Sequence, residues 1–150
     1  MTDDTVPANP AVPANPAVPA NPGGPATAGG PATAAVPTVA ALDALARDLG
    51  ARTPKPTALT EGQVEASDTL WARLGLDVGY WEATPGSFTA TRDGYTEICQ
   101  FLAGGVTIEV DGEEPVTLGA GDTLVMPSGW RGTWHVHETV RKLYITVDDA

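Results

Sequence analysis

The chain has 150 residues, with 19 Asp and Glu against 8 Lys and Arg, for a formal net charge of −11. Phosphate backbones and anionic lipid are bound chiefly through Lys and Arg, so neither nucleic acid nor a membrane surface is an expected partner. The length suits one domain, and with a single cysteine, Cys99, no intrachain disulfide can form.

A lone thiol fits a reducing compartment. The opening MTDDTVPANP has neither the basic stretch nor the apolar run of a secretory signal. No uncharged apolar run approaches the ~20 residues of a membrane span. A cytoplasmic protein is expected.

Residues 1–37 form a repetitive leader. VPANPA occurs at 6–11 and 12–17, and GGPATA at 23–28 and 29–34. Prolines at this density remove backbone donors and block helix, while Ala and Gly offer too little side chain to offset ordering entropy. A disordered spacer with polyproline II character is expected. The PxxP spacing also suits a ligand for aromatic-lined grooves, but composition alone does not specify one. Over 38–50, TVAALDALARDLG offers Thr38 as an N-cap, leucines at 42, 45 and 49 on one face, and Gly50 as a stop, so a short helix is predicted. Residues 51–66, punctuated by Pro54 and Pro56, read as a linker.

From 67 to 150 the text reads as strand after strand. Runs rich in β-branched and aromatic residues cover 68–74, 78–84, 86–92, 95–103, 105–110, 115–119, 122–127, 131–137 and 140–147. Turn signals separate most of them, among them Pro85-Gly86, Asp93-Gly94 and Asp111-Gly112. Many short strands without intervening helices predict an all-β fold, an antiparallel sandwich or barrel.

Within this region GAGDTLVMPSG, 119–129, and the glutamate-led EICQFLAGGVTIEV, 97–110, resemble the two motifs of the cupins. The flanks are similar to the (S)-ureidoglycine aminohydrolase-like cupin family: Trp81-Glu82 followed by Pro85-Gly86, the Trp134–Val136 triplet, and Val140-Arg141-Lys142 leading to Tyr144. The resemblance covers 71–147 and none of the leader. It implies a double-stranded β-helix, the RmlC-like jelly-roll barrel, often dimeric, with a cavity at one end as the default functional site.

Metal-dependent cupins converge three histidines and one glutamate on an ion. This sequence keeps the glutamate, Glu97. At the positions of the preceding His-x-His pair stand Ala90 and Arg92, or Thr91 and Asp93, and the third histidine is replaced by Gly132. One or two carboxylates hold a transition metal poorly, so no cofactor is expected and a divalent metal is disfavoured. The only histidines, His135 and His137, share a strand face opposite to Gly132, Trp134 and Val136, and are expected to point outward.

A carboxylate inside a barrel without a metal needs another counter-charge. Lys142 is the candidate, with Tyr144 on its face of the last strand. Against it stands the apolarity of Leu143, Ile145 and Val147, which marks the other face as a possible inward set. Glu97 and Cys99 share a face, and Cys99 reads as a small buried hydrophobe. Trp81, Trp130 and Trp134 suit either a cavity wall or the core. Glu82 reads as solvated, and Arg131 reads as a surface residue within reach of an anionic ligand at the mouth. The sequence presents no Ser/His/Asp constellation. The pocket candidates are thus Glu97, Lys142, Tyr144, Trp134, Trp81, Cys99 and Arg131, and no residue is assigned as catalytic. The expected partner is a small polar metabolite, together with a second copy of the chain. The alternatives are a metal-dependent aminohydrolase-like enzyme with unrecognised ligands and a non-catalytic interaction module.

Overall fold

The structure, a computed structural model, describes residues 39–150; the repetitive leader and the N-cap Thr38 lie outside them. The described residues are organised by strands: β1 (Thr53–Pro54), β2 (Val64–Arg73), β3 (Leu76–Ala83), β4 (Gly86–Thr91), β5 (Tyr95–Glu109), β6 (Val116–Gly119), β7 (Thr123–Met126) and β8 (Arg131–Asp148). They form a sheet in the order β1-β2-β3-β8-β5-β6, with β4 also on β8 and β7 also on β5. Every pairing is antiparallel.

Two long strands make the architecture. Runs separated in the sequence at Gly104 and around Glu138 are continuous in β5 and β8, which pair along most of their length. The bends fall at irregularities in register around Ala103 and Gly105. Gly104 has φ +77, and a Cβ there would lie 2.3 Å from the Thr139 carbonyl oxygen, so the close approach of the strands requires glycine. The first half of β8 pairs with β4 and the second half with β3.

Side-chain alternation then sorts the residues. On β5, Glu97, Cys99 and Phe101 are buried, and on β8 so are Trp134, Val136, Val140 and Lys142. These join Phe88, Val106, Ile108 and Met126 in the core. The even-numbered positions of β8 therefore face inward on both sides of the bend at Glu138, which is itself exposed, and Leu143, Ile145 and Val147 lie outward. Their apolarity has a local cause. Leu143 packs against a second cluster built on Leu49, Ala66 and Tyr80, while Ile145 pairs with Ile98 and Val78 across the outer face.

The helix predicted over 38–50 does not form in the described residues. Asp43 is in the left-handed region (φ 54) and its carboxylate accepts from the Ala46 N–H at 3.2 Å, giving a single turn. The carbonyls that a helix would use next are taken by Arg141, whose Nη1 donates to the oxygens of Ala44, Leu45 and Arg47 at 3.0, 2.8 and 2.9 Å. A helix this short is marginal alone, and a guanidinium competes well for its acceptors. Leu49 is buried, but Leu42 and Leu45 are exposed.

The segment read as a linker, 51–66, carries β1 and the start of β2, and its middle runs as a strap along β4. Leu59 N donates to the Ser87 carbonyl (2.7 Å) and Thr89 N to that of Thr57 (3.2 Å). Glu82, read as solvated, is buried and grips Arg141 in a two-pronged contact at 3.0 and 2.8 Å, with Arg52 on its other oxygen. Burial alone would raise its pKa, but Arg141 and Arg52 outweigh burial and lower it. No helix among the described residues is long and apolar enough to cross a membrane.

Arg141→Lys cannot reproduce this fork. It is expected to cost about 2 kcal/mol and to speed amide exchange across 39–50 while β5 and β8 stay protected. Hydrogen-exchange mass spectrometry with a urea melt checks both.

Candidate functional site

Inward-facing side chains of β3, β4, β5 and β8, with the strap, enclose a cavity of about 390 Å³. At its floor Lys142 donates to Glu97 Oε1 at 2.6 Å, and Arg92 Nε lies 2.5 Å from Glu97 Oε2. All three side chains are at most 10% exposed. The Arg92 contact is an ion pair that takes up Nε. The Lys142 ammonium also sits 4.8 Å from the ring centroids of both Trp81 and Trp134, a favourable cation–π geometry.

Strand register explains the meeting. Phe101 is opposite Lys142 on β5 and β8, and Trp81 is opposite it on β3, so Lys142 reaches along the barrel wall toward Glu97. Tyr144, two residues on, lines the cavity and shares a hydrogen bond with Thr69 Oγ1 at 2.9 Å. Gly79 makes room for it, since a Cβ there would come within 2.5 Å of the Tyr144 hydroxyl.

Burial would raise the pKa of Glu97, but Lys142 and Arg92 outweigh it and hold the carboxyl below its ordinary value. Cys99 lies behind the pair rather than on the cavity wall, with Sγ 3.2 Å from Glu97 Oε1 and 3.3 Å from Lys142 Nζ. Burial pushes its thiol up to about 11, the opposite of what a nucleophile needs.

Of the residues singled out from the sequence, Glu97, Lys142, Tyr144, Trp134 and Trp81 line one cavity. Cys99 is beneath it. Arg131 is elsewhere, exposed and paired with Asp93 at 2.6 Å beside a separate depression. Sequence reasoning missed Lys55, Thr57 and Ser67, which it placed in or beside a linker, and gave Arg92 no role. Lys55 Nζ sits 4.6 Å from the Phe88 ring centroid and bonds Glu65 at 2.8 Å, while the Trp81 indole N–H donates to the same Glu65 oxygen. The signal for Arg92 was its place in one of the two alignments of the His-x-His pair of metal-dependent cupins.

The histidines are outward. His137 Nε2 bonds Thr107 Oγ1 at 2.8 Å, and His135 bridges Ser87 Oγ and Glu109 Oε2, each at 2.8 Å. The sequence had shown no Ser/His/acid set, because these three residues meet only across β4, β8 and β5. The arrangement lies on half-exposed sheet surface, and the Ser87 N–H is already spent on Thr60 Oγ1 at 3.0 Å, so it is a cross-strand network without an oxyanion-binding donor at the serine.

The residues present do not fit the ion of metal-dependent cupins. The space a side chain at 132 would fill is occupied: a Cβ on Gly132 would lie 2.6 Å from the Trp130 ring. Glu97 is engaged by two cations, one of them Arg92 itself. Among the described residues, no group of three or more His, Cys, Asp or Glu side chains is placed to hold an ion.

A barrel with Glu97 near the start of β5, a Gly-Asp turn before β7 and an inner cavity has the cupin fold. The family model for the EutQ-like cupin domain matches residues 75–144, so that stretch is similar to the EutQ-like cupins and the fold is that of a cupin. Among solved structures, the EutQ protein of Clostridium difficile is similar at 24% identity, with 58% of this chain and 70% of that chain covered and a TM-score of 0.53. A protein of unknown function from Pseudomonas syringae pv. tomato is similar at 22% identity, covering 71% of this chain and 46% of that one, TM-score 0.60. These two likenesses concern the fold. A protein of unknown function from Rhizobium leguminosarum is 31% identical over 57% of this chain and 82% of its own, TM-score 0.50. No curated protein matches the sequence.

Two outcomes follow from the buried cluster. Glu97→Gln leaves two cations without their counter-charge and is expected to cost about 3–5 kcal/mol, with Lys142→Met in the same chain restoring part of it. Because the folded-state pKa of Glu97 is lowered, its stabilisation is full above the unfolded carboxyl value of about 4.3 and is lost as pH falls through the folded value. Urea melts from pH 7 down to pH 3 should show a shallower acid limb in Glu97→Gln than in the parent. Separately, Cys99 should resist iodoacetamide in the native state and react only at the rate of global unfolding, as followed by intact mass.

Proposed function

We propose that this cupin domain binds a small polar metabolite in the cavity above Glu97, and does so without a resident metal ion. One observation carries the reading: both oxygens of the retained glutamate are met by cations of the chain itself, Lys142 on one side and Arg92 on the other. Where metal-dependent relatives place an ion, this barrel has a cross-strand ion pair that keeps Glu97 charged. The hydroxyls of Tyr144, Thr91 and Thr146 add hydrogen-bonding groups to the wall, and Trp81 and Phe88 add flat apolar surface.

The resemblance to the ureidoglycine aminohydrolase cupins points to an alternative, metal-assisted hydrolysis. That chemistry needs donors arranged around an open coordination position, and Gly132 beneath Trp130 and Arg92 beside Glu97 speak against them. Glu97 is also a poor proton donor at neutral pH, because its pKa is lowered. Binding therefore accounts for the site better than hydrolysis does.

The test is elemental analysis of purified protein, together with a thermal-shift screen against small carboxylic acids, amino acids, sugars and purine-breakdown intermediates. A ligand selective for the native state raises the melting temperature. Substoichiometric metal and a shift that Ala90→Leu abolishes by filling the cavity are the expected results. A tightly held stoichiometric ion, or a screen without any shift, overturns the proposal.

A further inference from the structure

We infer that the ligand of this cavity is a small monoanion with a flat apolar body, held through its acidic group by Arg92; the inference rests on the binding reading above.

The first argument is the sign of the charge. The ionisable side chains assigned to cavity recognition are Lys55, Arg92, Lys142 and Glu97, beside Tyr95 and Tyr144. Lys55 is neutralised by Glu65 at 2.8 Å. What remains is two cations sharing one carboxylate, a local surplus of one positive charge inside a chain of net charge −11. A cationic ligand is repelled at this floor. A dianion would leave one charge without a partner in a buried place, which is costly.

The second argument is the balance of hydrogen-bonding groups. A guanidinium has five N–H donors, yet among the described residues the Arg92 side chain makes one hydrogen bond, from Nη1 to the Thr91 carbonyl at 2.7 Å. Its Nε already faces Glu97 Oε2 at 2.5 Å, which leaves Nη2 without a hydrogen-bond partner among the described residues; the indole Nε1 of Trp134, a fully buried cavity residue, has none either. The remaining unpaired buried atom, Gln63 Oε1, does not line the cavity. A buried donor without an acceptor is costly, so the site offers donors and lacks acceptors. A planar oxyanion such as a carboxylate supplies two, and a guanidinium recognises that geometry in pairs of parallel bonds.

The third argument is shape. Arg92 Cζ lies 5.8 and 5.9 Å from the ring centroids of Tyr95 and Trp130, cation–π contacts that help hold the guanidinium in place. Above it Trp81, Phe88 and Ala90 give an apolar wall, and about 390 Å³ is near the lower end of ligand cavities. One ring and one acidic group suit that space.

The experiment is isothermal titration of the full chain with four probes of one shape and different charge: benzoate, benzamide, benzylamine and phenyl phosphate. Benzoate is expected to bind at least 10-fold more tightly than each of the others, and Arg92→Gln to weaken benzoate at least 10-fold. Because Arg92→Gln also touches Glu97, Ala90→Leu is measured beside it; it keeps every charge and should abolish benzoate binding by occlusion, with folding of both variants verified by urea melts. Equal binding of benzamide overturns the anion while leaving the cavity reading intact, and a preference for phenyl phosphate overturns the single charge. Failure of all four probes overturns this inference; the metabolite screen separately decides whether the cavity binds anything.

Discussion

A carboxylate buried in a small barrel must be neutralised, coordinated or paired, and the way this barrel treats Glu97 sets the character of its interior. Pairing is the solution here. Lys142 reaches it along β8 and Arg92 from the end of β4, so three strands of different sequence position are tied to one charged atom pair. The arrangement is costly to desolvate and correspondingly costly to break, which makes it better understood as a device that specifies a site than as a source of net stability. The two indoles flanking the Lys142 ammonium offset part of that desolvation.

The strand content and the cupin class were legible because alternation in 95–103 and 131–137 is regular and the turn residues are unambiguous. The inward direction of Lys142 was harder. Alternation along 140–147 puts an apolar set on the opposite face, and local patterning cannot say that Leu49 and Tyr80 cover the Leu143 position on that side. Continuity of parity from Gly132 and Trp134 through to Tyr144 holds the answer, but only if β8 is one unbroken strand, and its residues Glu138 and Thr139 give little local indication of that.

The failures have a common origin in long-range contacts. The stretch at 38–50 has helical periodicity, yet Arg141, nearly a hundred positions away, captures three of its carbonyls. Residues 51–66 carry prolines and polar groups and look like a connection, yet hydrogen bonds to β4 make them a wall. Ser87, His135 and Glu109 are unremarkable as text and contiguous in space. Such side-chain-to-backbone and cross-strand relations leave no period in the sequence.

The strap around Lys55 lies wholly upstream of the portion that the family description spans, 75–144, although it closes one side of the cavity. Exchanges in that stretch would therefore reshape one side of the cavity while leaving the Glu97–Lys142 pair of β5 and β8 untouched.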